Sequence, residues 1–128
     1  MIAPQSYTGY TILIAEDNVS NFDYIKNTFR TTGLTILHAA NGKEAVDYCL
    51  AHPEIRLVLM DGMMPEMTGY EATIEIRKFR TELPIVLLTA YVSQTSIRDA
   101  VISGCTDYLA KPIGTDELLT VLKKWIVV

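Results

Sequence analysis

Residues 57–61 (LVLMD) place one aspartate directly after an unbroken apolar run. Four apolar residues in a row favour a buried strand, and a charged residue that ends such a strand lies at the rim of a sheet. Asp61 could simply cap a turn, because Gly62 follows it. It could also be held at the rim because its carboxylate takes part in a reaction.

Other polar residues follow predicted strands in the same way. Glu16 and Asp17 come after TILIA, Thr89 comes after IVLL, and Lys111 comes after DYLA. In a parallel sheet the carboxyl ends of the strands form one edge, and ligands bind where the strand order reverses. We therefore expect all four residues to share one edge of the sheet with Asp61.

Strand patterns and helix patterns alternate five times along the chain. The runs TILIA, LVLM and IVLL are typical of central strands, whereas LTILHA and DYLA are typical of edge strands. This alternation predicts one doubly wound α/β domain over residues 11–128, with right-handed crossovers. Residues 1–10 are predicted to be a tail or linker remnant.

Apolar residues at helical spacing predict the buried face of each helix. Asn41 is a predicted N-cap of the second helix, and Thr115 and Asp116 signal the start of the fifth. The predicted faces, in chain order, are Phe22/Ile25/Phe29, Ala45/Val46/Cys49/Leu50, Ala72/Ile76/Phe79, Ile97/Ala100/Val101 and Leu118/Leu122/Trp125.

Carboxylates crowded at one sheet edge repel one another, which raises the pKa of one of them. A divalent cation removes this repulsion, and oxygen ligands without histidine or cysteine favour magnesium or calcium. A calcium cage needs more carboxylates and an EF-hand type of loop, which the sequence lacks. Asp17 and Asp61, with Glu16 through water, are therefore predicted to bind Mg²⁺ together with a phosphate group.

Lys111 and Thr89 suit such a phosphate ligand. An ammonium group neutralises phosphoryl charge, and a hydroxyl donates a hydrogen bond to it. An aspartate can be the nucleophile in phosphoryl transfer and become an aspartyl phosphate. Asp61 is the predicted acceptor, because it is central and precedes Gly62. A cis bond before Pro112 would fix the direction of Lys111, but the sequence does not determine the isomer.

Composition narrows the class of protein. The chain has 128 residues, 49% of them hydrophobic, which suits one packed domain. The net charge is −4 without a basic run, which argues against nucleic-acid binding. Residues 1–10 lack the pattern of a secretion signal, no apolar run is long enough to span a bilayer, and the two cysteines form no CxxC motif. We expect a soluble cytoplasmic domain.

Four segments together resemble the receiver domain of two-component response regulators. They are ILIAEDN, LVLMDGMMPEMTGYEA, LLTA and DYLAKPI. Each is weak alone, but all four occur in order at predicted strand ends, and the resemblance covers residues 11–125. It implies a flavodoxin-like (βα)₅ fold with a five-stranded parallel sheet of order 2-1-3-4-5, and a regulatory phosphoacceptor rather than an enzyme.

The resemblance also implies a phosphodonor and a metal site. Asp61 would receive a phosphoryl group from phosphohistidine on a histidine kinase or a histidine phosphotransfer protein. Mg²⁺ would be bound by Asp17, Asp61 and the backbone carbonyl of Met63, with Glu16 as the other member of the acidic pair. The runs around Asp61 and Lys111 look more like receivers of hybrid sensor kinases, although a stand-alone regulator stays open.

The remaining roles implied by the resemblance concern the response to phosphorylation. Lys111 would contact the phosphoryl group, and Thr89 would sense it by moving inward. Tyr108 matches the aromatic residue that follows this movement in the family. The output surface would be built from the fourth helix, the fifth strand and the fifth helix.

Three residues would flank the phosphoryl group: Met63, Ala90 and Tyr91. Met63 and Tyr91 lie two residues after Asp61 and Thr89, respectively. Two bulky side chains there are expected to obstruct an attacking water molecule and to make the aspartyl phosphate long-lived.

Two other functions compete with this interpretation. A magnesium-dependent phosphatase of the haloacid dehalogenase type needs a second acid two residues after its nucleophile, where this chain has Met63, and it needs a cap domain. A degenerate receiver that acts only as a protein-interaction module would lack an acid, the acceptor or the lysine, and none is missing. A dinucleotide site is disfavoured because no GxGxxG follows the first strand.

Overall fold

A computed structural model of the protein describes residues 6–90 and 92–127. The strands are β1 (Thr11–Ala15), β2 (Thr35–Ala39), β3 (Ile55–Asp61), β4 (Ile85–Thr89) and β5 (Asp107–Ala110). The helices are α1 (Val19–Thr28), α2 (Gly42–Ala51), α3 (Gly69–Arg77), α4 (Gln94–Ser103) and α5 (Thr115–Trp125).

The five strands form one parallel sheet of order β2-β1-β3-β4-β5. This arrangement confirms the predicted fold class. The strand order reverses between β1 and β3, so the crevice next to their carboxyl ends is the expected ligand site.

Helices cover both faces of the sheet, which is why residues 12–15, 57–60 and 85–88 of the central strands are apolar without interruption. On one face, α2, α3 and α4 contribute Ala45, Ile76 and Ala100 to a core with Leu13 and Leu87. On the other face, α1 and α5 contribute residues to a second core. That core includes Ile12, Ile14, Ile25, Leu118 and Leu122.

Asn41 is the N-cap of α2, as predicted: its side chain accepts a hydrogen bond of 2.8 Å from the N–H of Glu44. Three predicted core residues are instead exposed, namely Leu50 (60%), Phe79 (39%) and Val101 (70%). Leu50 and Val101 each directly follow an inward-facing residue, and a helix turns by about 100° per residue, which carries them out of the core. Phe79 lies beyond the end of α3 at Arg77, so the helical spacing no longer applies to it.

The packed part of the chain reaches into the predicted N-terminal tail. Tyr7 is buried in the second core, and its N–H donates a hydrogen bond of 2.7 Å to the carbonyl of Thr32. Tyr7, within the predicted tail, therefore packs against the domain, whereas residues 1–5 lie outside the described part. Across residues 6–90 and 92–127, no helix has the length and hydropathy needed to cross a bilayer.

Candidate functional site

The carboxyl ends of the four strands β1, β3, β4 and β5 bring the predicted site residues to one edge of the sheet. β1 leads directly into Glu16 and Asp17, and β3 ends on Asp61. β4 ends on Thr89, and Lys111 follows β5. The parallel register, with Ala15 opposite Met60 and Thr89 opposite Ala110, aligns these ends.

Three carboxylates lie close together at this edge. One oxygen from each of Glu16, Asp17 and Asp61 lies within 4.8 Å of the others. Glu16 and Asp61 are buried, whereas Asp17 is exposed. Two acids of the cluster are therefore buried, and the third is exposed to solvent.

Lys111 joins this cluster from the far end of the chain. Its Nζ lies 3.3 Å from Glu16 Oε2 and 3.3 Å from Asp61 Oδ1. Burial by itself lowers the pKa of Lys111, but the charges and hydrogen bonds of Asp61 and Glu16 outweigh burial, so its pKa is raised. Lys111 is therefore a stable cation at this edge.

Asp61 has an unusual protonation equilibrium. Burial first, and then the charge of Glu16, raise its pKa to about 6, even though Lys111 and the N–H of Met63 act in the opposite direction. The Met63 N–H donates to Asp61 Oδ1 over 3.3 Å. The ammonium of Lys111 thus offsets only part of the combined effect of burial and Glu16 on the pKa of Asp61.

Both oxygens of Glu16 already have donors from the protein. Oε1 accepts hydrogen bonds from the N–H of Asn18 at 3.2 Å and from Nδ2 of Asn21 at 3.4 Å, and Oε2 faces Lys111. Asp17 has no hydrogen bond or ion pair within the described parts of the chain. Asp17 is thus the most available ligand of the cluster.

The loop after β3 is held against the sheet by two glycines. Gly62 donates its N–H to the carbonyl of Leu88 at 2.9 Å, and Gly69 donates to the carbonyl of Gly62 at 2.9 Å. A Cβ atom on Gly69 would collide with the backbone carbonyl of Asp61 and with Met60 Cγ. Gly69 was not among the residues predicted to shape the site, although a glycine at the first position of a helix, directly after the N-cap Thr68, is a usable signal.

The other residues that were predicted to belong to the site differ in how deeply they are buried. Thr89 is buried, and its carbonyl accepts a hydrogen bond of 2.7 Å from the Lys111 N–H. Tyr108 is half-buried against the core beneath α2, α3 and α4. The side chain of Met63 is 69% exposed, and Ala90 is exposed as well. Tyr91 lies outside the described residues.

A cavity of about 400 Å³ adjoins Lys111 between α1 and the β5–α5 loop. Its walls include Tyr24 and Ile113, and the Tyr24 hydroxyl donates a hydrogen bond of 2.7 Å to the carbonyl of Ile113. The Lys111–Pro112 bond at this point is cis, which resolves the isomer that the sequence left open.

The chemistry of the donor set fits a divalent cation. Three carboxylates against one ammonium leave a formal charge of −2 within a few ångströms. All three carboxylates offer hard oxygen donors, which are the ligands that Mg²⁺ prefers, and the exposed position of Asp17 leaves room for the water ligands that this ion keeps. Burial and the charge of Glu16 raise the pKa of Asp61, so a cation beside its carboxylate would favour the ionised form.

Comparison with known proteins identifies the fold family. The sequence profile of the response regulator receiver domain matches residues 12–123. The chain belongs to this family. It is therefore a receiver domain of the two-component type, and the resemblance noted in its four motifs is confirmed.

Individual relatives agree with this assignment. The receiver domain is 36% identical over 119 residues to the sensor histidine kinase GacS of Pseudomonas protegens, covering 89% of this chain and 13% of that protein. The chain spans only 13–15% of the length of the first curated relatives that it matches.

Two solved structures have the same fold. The receiver domain of the sensor histidine kinase PA1611 from Pseudomonas aeruginosa, described with a magnesium ion coordinated in its active site cleft, is 35% identical, with a TM-score of 0.84 and coverage of 92% of this chain and 98% of that one. The receiver domain of Saccharomyces cerevisiae Ssk1, solved with the phosphotransfer protein Ypd1, is 32% identical, with a TM-score of 0.85 and coverage of 98% and 91%.

Proposed function

We propose that this receiver domain accepts a phosphoryl group from phosphohistidine onto Asp61 and thereby changes a partner-binding surface. The observation that carries this proposal is the position of Lys111 Nζ, 3.3 Å from the Asp61 carboxylate within a cluster of three acids. An oxygen of ionised Asp61 attacks phosphorus while the P–N bond of the phosphohistidine breaks. The electron pair of that bond returns to the imidazole, and a P–O bond to Asp61 forms.

The acidic cluster supports a role for Mg²⁺ in this transfer. Asp17, Asp61 and the backbone carbonyl of Met63 would hold the ion, and Glu16 would contribute through water because its oxygens already have protein donors. When bound, the cation neutralises charge on the phosphoryl oxygens. Two of the acids are buried, so solvent screens their charge only weakly.

Lys111 and Thr89 would carry the signal from the new phosphoryl group. Lys111 neutralises phosphoryl charge, and the Thr89 hydroxyl moves inward to donate a hydrogen bond to it. Tyr108 follows this movement as the switch residue, and the surface of α4, β5 and α5 changes for the partner. Phosphorylation in this mechanism shifts an equilibrium between two arrangements of the same fold.

The donor in this proposal is a histidine kinase or a histidine phosphotransfer protein in the cytoplasm. Sequence similarity to a sensor histidine kinase supports it, as does structural similarity to a receiver solved with a phosphotransfer protein. The chain matches only 13–15% of the length of two sensor histidine kinases, which supports a covalent link between this receiver domain and an upstream kinase. No direct contact with nucleic acid is proposed, given the net charge of −4.

Phosphorylation of the isolated chain tests the proposal. With Mg²⁺ and a small phosphodonor such as acetyl phosphate, we expect the wild type to gain one phosphoryl group, measured by intact mass. Asp61→Asn is expected to gain none, because the acceptor oxygen is no longer a nucleophile. The matched control Asp99→Asn, at an exposed position of α4, is expected to behave as the wild type. Labelling that persists in Asp61→Asn would refute Asp61 as the acceptor, and a wild type that stays unlabelled would favour an interaction module.

The lifetime of the aspartyl phosphate gives a second prediction. The combined change Met63→Asn and Tyr91→Glu is expected to speed dephosphorylation about tenfold or more, because polar side chains would orient a water molecule that bulky apolar ones obstruct. The decay of the phosphorylated protein by intact mass, after removal of the donor, measures this rate. An unchanged rate would show that these two side chains do not screen the phosphoryl group.

A further inference from the structure

The side chain of His38 contacts two elements at the junction of β1 and α1. Its Nε2 lies 2.8 Å from the backbone carbonyl oxygen of Glu16. Its ring stacks on Phe22 of α1, with ring centroids 3.8 Å apart and 17° between the planes. His38 belongs to the edge strand β2 and is half-buried, so one side chain connects β2, the end of β1 and α1.

The hydrogen bond between His38 and Glu16 lies next to the last backbone hydrogen bond between β1 and β2. His38 is paired with Ile14, and the Glu16 N–H donates to the carbonyl of Ala39 at 3.0 Å. The Glu16 carbonyl points to a side chain instead of a strand. Because a carbonyl oxygen can only accept, Nε2 of His38 must carry the hydrogen. The geometry thereby assigns the tautomer of His38.

The peptide group held by His38 is the one that joins Glu16 to Asp17. The Glu16 side chain is held in place by Asn18, Asn21 and Lys111. Asp17 has no such side-chain partner within the described residues, so the direction of its carboxylate depends on the backbone that precedes it. The hydrogen bond from His38 is the side-chain contact that orients this peptide.

We propose that His38 is a positioning residue for the acidic cluster. Its Nε2–H fixes the peptide between Glu16 and Asp17, and stacking on Phe22 fixes the ring, so that Asp17 is held towards Asp61 before a cation binds. This role depends on the magnesium site proposed above. It corresponds to the support that residues outside the ligand shell give to metal ligands in other sites.

Magnesium titration of the unphosphorylated protein tests this role. Chemical shifts of the backbone amides of Asp17 and Asn18, measured by NMR, report the affinity without any phosphoryl transfer. His38→Phe keeps a stacking ring but removes the donor, and we expect Mg²⁺ affinity to fall by a factor of about 2 to 10, the equivalent of one net hydrogen bond. His38→Gln keeps an N–H donor at similar reach, and its affinity is expected to stay within about twofold of the wild type.

Leu37→Ala is the matched control on the same strand. Leu37 packs against the core on the face of α2, α3 and α4, so the change costs stability without touching Glu16. We expect its Mg²⁺ affinity to equal that of the wild type. If His38→Phe binds Mg²⁺ as the wild type does, or if Leu37→Ala weakens binding equally, the positioning role is wrong.

The tautomer of His38 tests the same role in the unmodified protein, even if a variant fails to fold. Nitrogen shifts of the imidazole are expected to show the hydrogen on Nε2, and a bare Nε2 would overturn the proposal whatever the variants show. Failure of the proposed function is distinguishable, because the wild type would then bind no Mg²⁺ and accept no phosphoryl group, irrespective of His38.

Discussion

Gly69→Ala is expected to lower the free energy of unfolding by about 3 kcal/mol. A glycine inside a helix normally gives the opposite result, since alanine stabilises helices by up to about 1 kcal/mol. Here the added Cβ would collide with the carbonyl of Asp61, a backbone atom of the central strand β3, and with Met60 Cγ. Neither neighbour has room to move away, because both belong to the buried core of the sheet.

Gly114→Ala is the control for this change. Gly114 precedes α5 with an ordinary φ of −74°, and the nearest atom to its added Cβ would be Glu117 Oε1 at 3.5 Å. We expect a loss below about 1 kcal/mol, as is usual when an N-cap glycine is replaced. Urea unfolding of both variants measures the difference. Equal stability of Gly69→Ala and the wild type would mean that α3 can move away from β3 without cost.

Asp61→Asn is expected to stabilise the metal-free protein at pH 7 by about 1–3 kcal/mol. Folding raises the pKa of Asp61 from 3.8 to about 6, chiefly through burial and the charge of Glu16. Asp61 is only 7% exposed, so solvent does little to relieve this penalty. A pKa difference of this size, which already includes the opposing effect of Lys111, corresponds to about 3 kcal/mol.

The sign of this effect sets its pH dependence. At Asp61 the folded protein binds more protons than the unfolded chain between pH 4 and 6, so the contribution of this group to the free energy of unfolding falls as the pH rises through that window. Asparagine carries no charge at any pH and can still accept the hydrogen bond from the Met63 N–H. The advantage of Asp61→Asn should therefore vanish below pH 4 and be complete above pH 6.

Thermal or urea unfolding at several pH values, in the presence of a chelator, measures this difference. Added Mg²⁺ is expected to stabilise the wild type and to have little effect on Asp61→Asn, because a ligand stabilises only the state that binds it. A gain that is independent of pH would show that the ionisation of Asp61 is not its origin.

Much of the fold was predictable from local patterns. The buried middle of a central strand in a sheet that is covered on both faces is a run of apolar residues, so the first charged or polar residue after the run marks the end of the strand. The positions of Asp61 at the end of β3 and of Thr89 at the end of β4 follow from the order of residue types alone. The four motifs together then predicted the family, which the comparisons confirm.

Local patterns were less successful for the helices. Spacing predicted a buried face for each helix, but Leu50 and Val101 at the edges of two such faces are exposed. The width of a buried face depends on how each helix lies across the sheet, which is a property of the packed structure. Phe79 shows the related difficulty that helix ends are not determined by apolar spacing alone.

The sequence by itself determined which strand ends carry the three acids, the threonine and the lysine, because alternation of strands and helices places all carboxyl ends at one edge. Only the tertiary structure decided how these groups meet. Lys111 reaches Glu16 across 95 positions of the chain, Gly69 contacts the backbone of Asp61, and His38 holds the carbonyl of Glu16. These contacts depend on strand register and helix placement, which arise from the packing of distant segments and leave no periodic signal in the sequence.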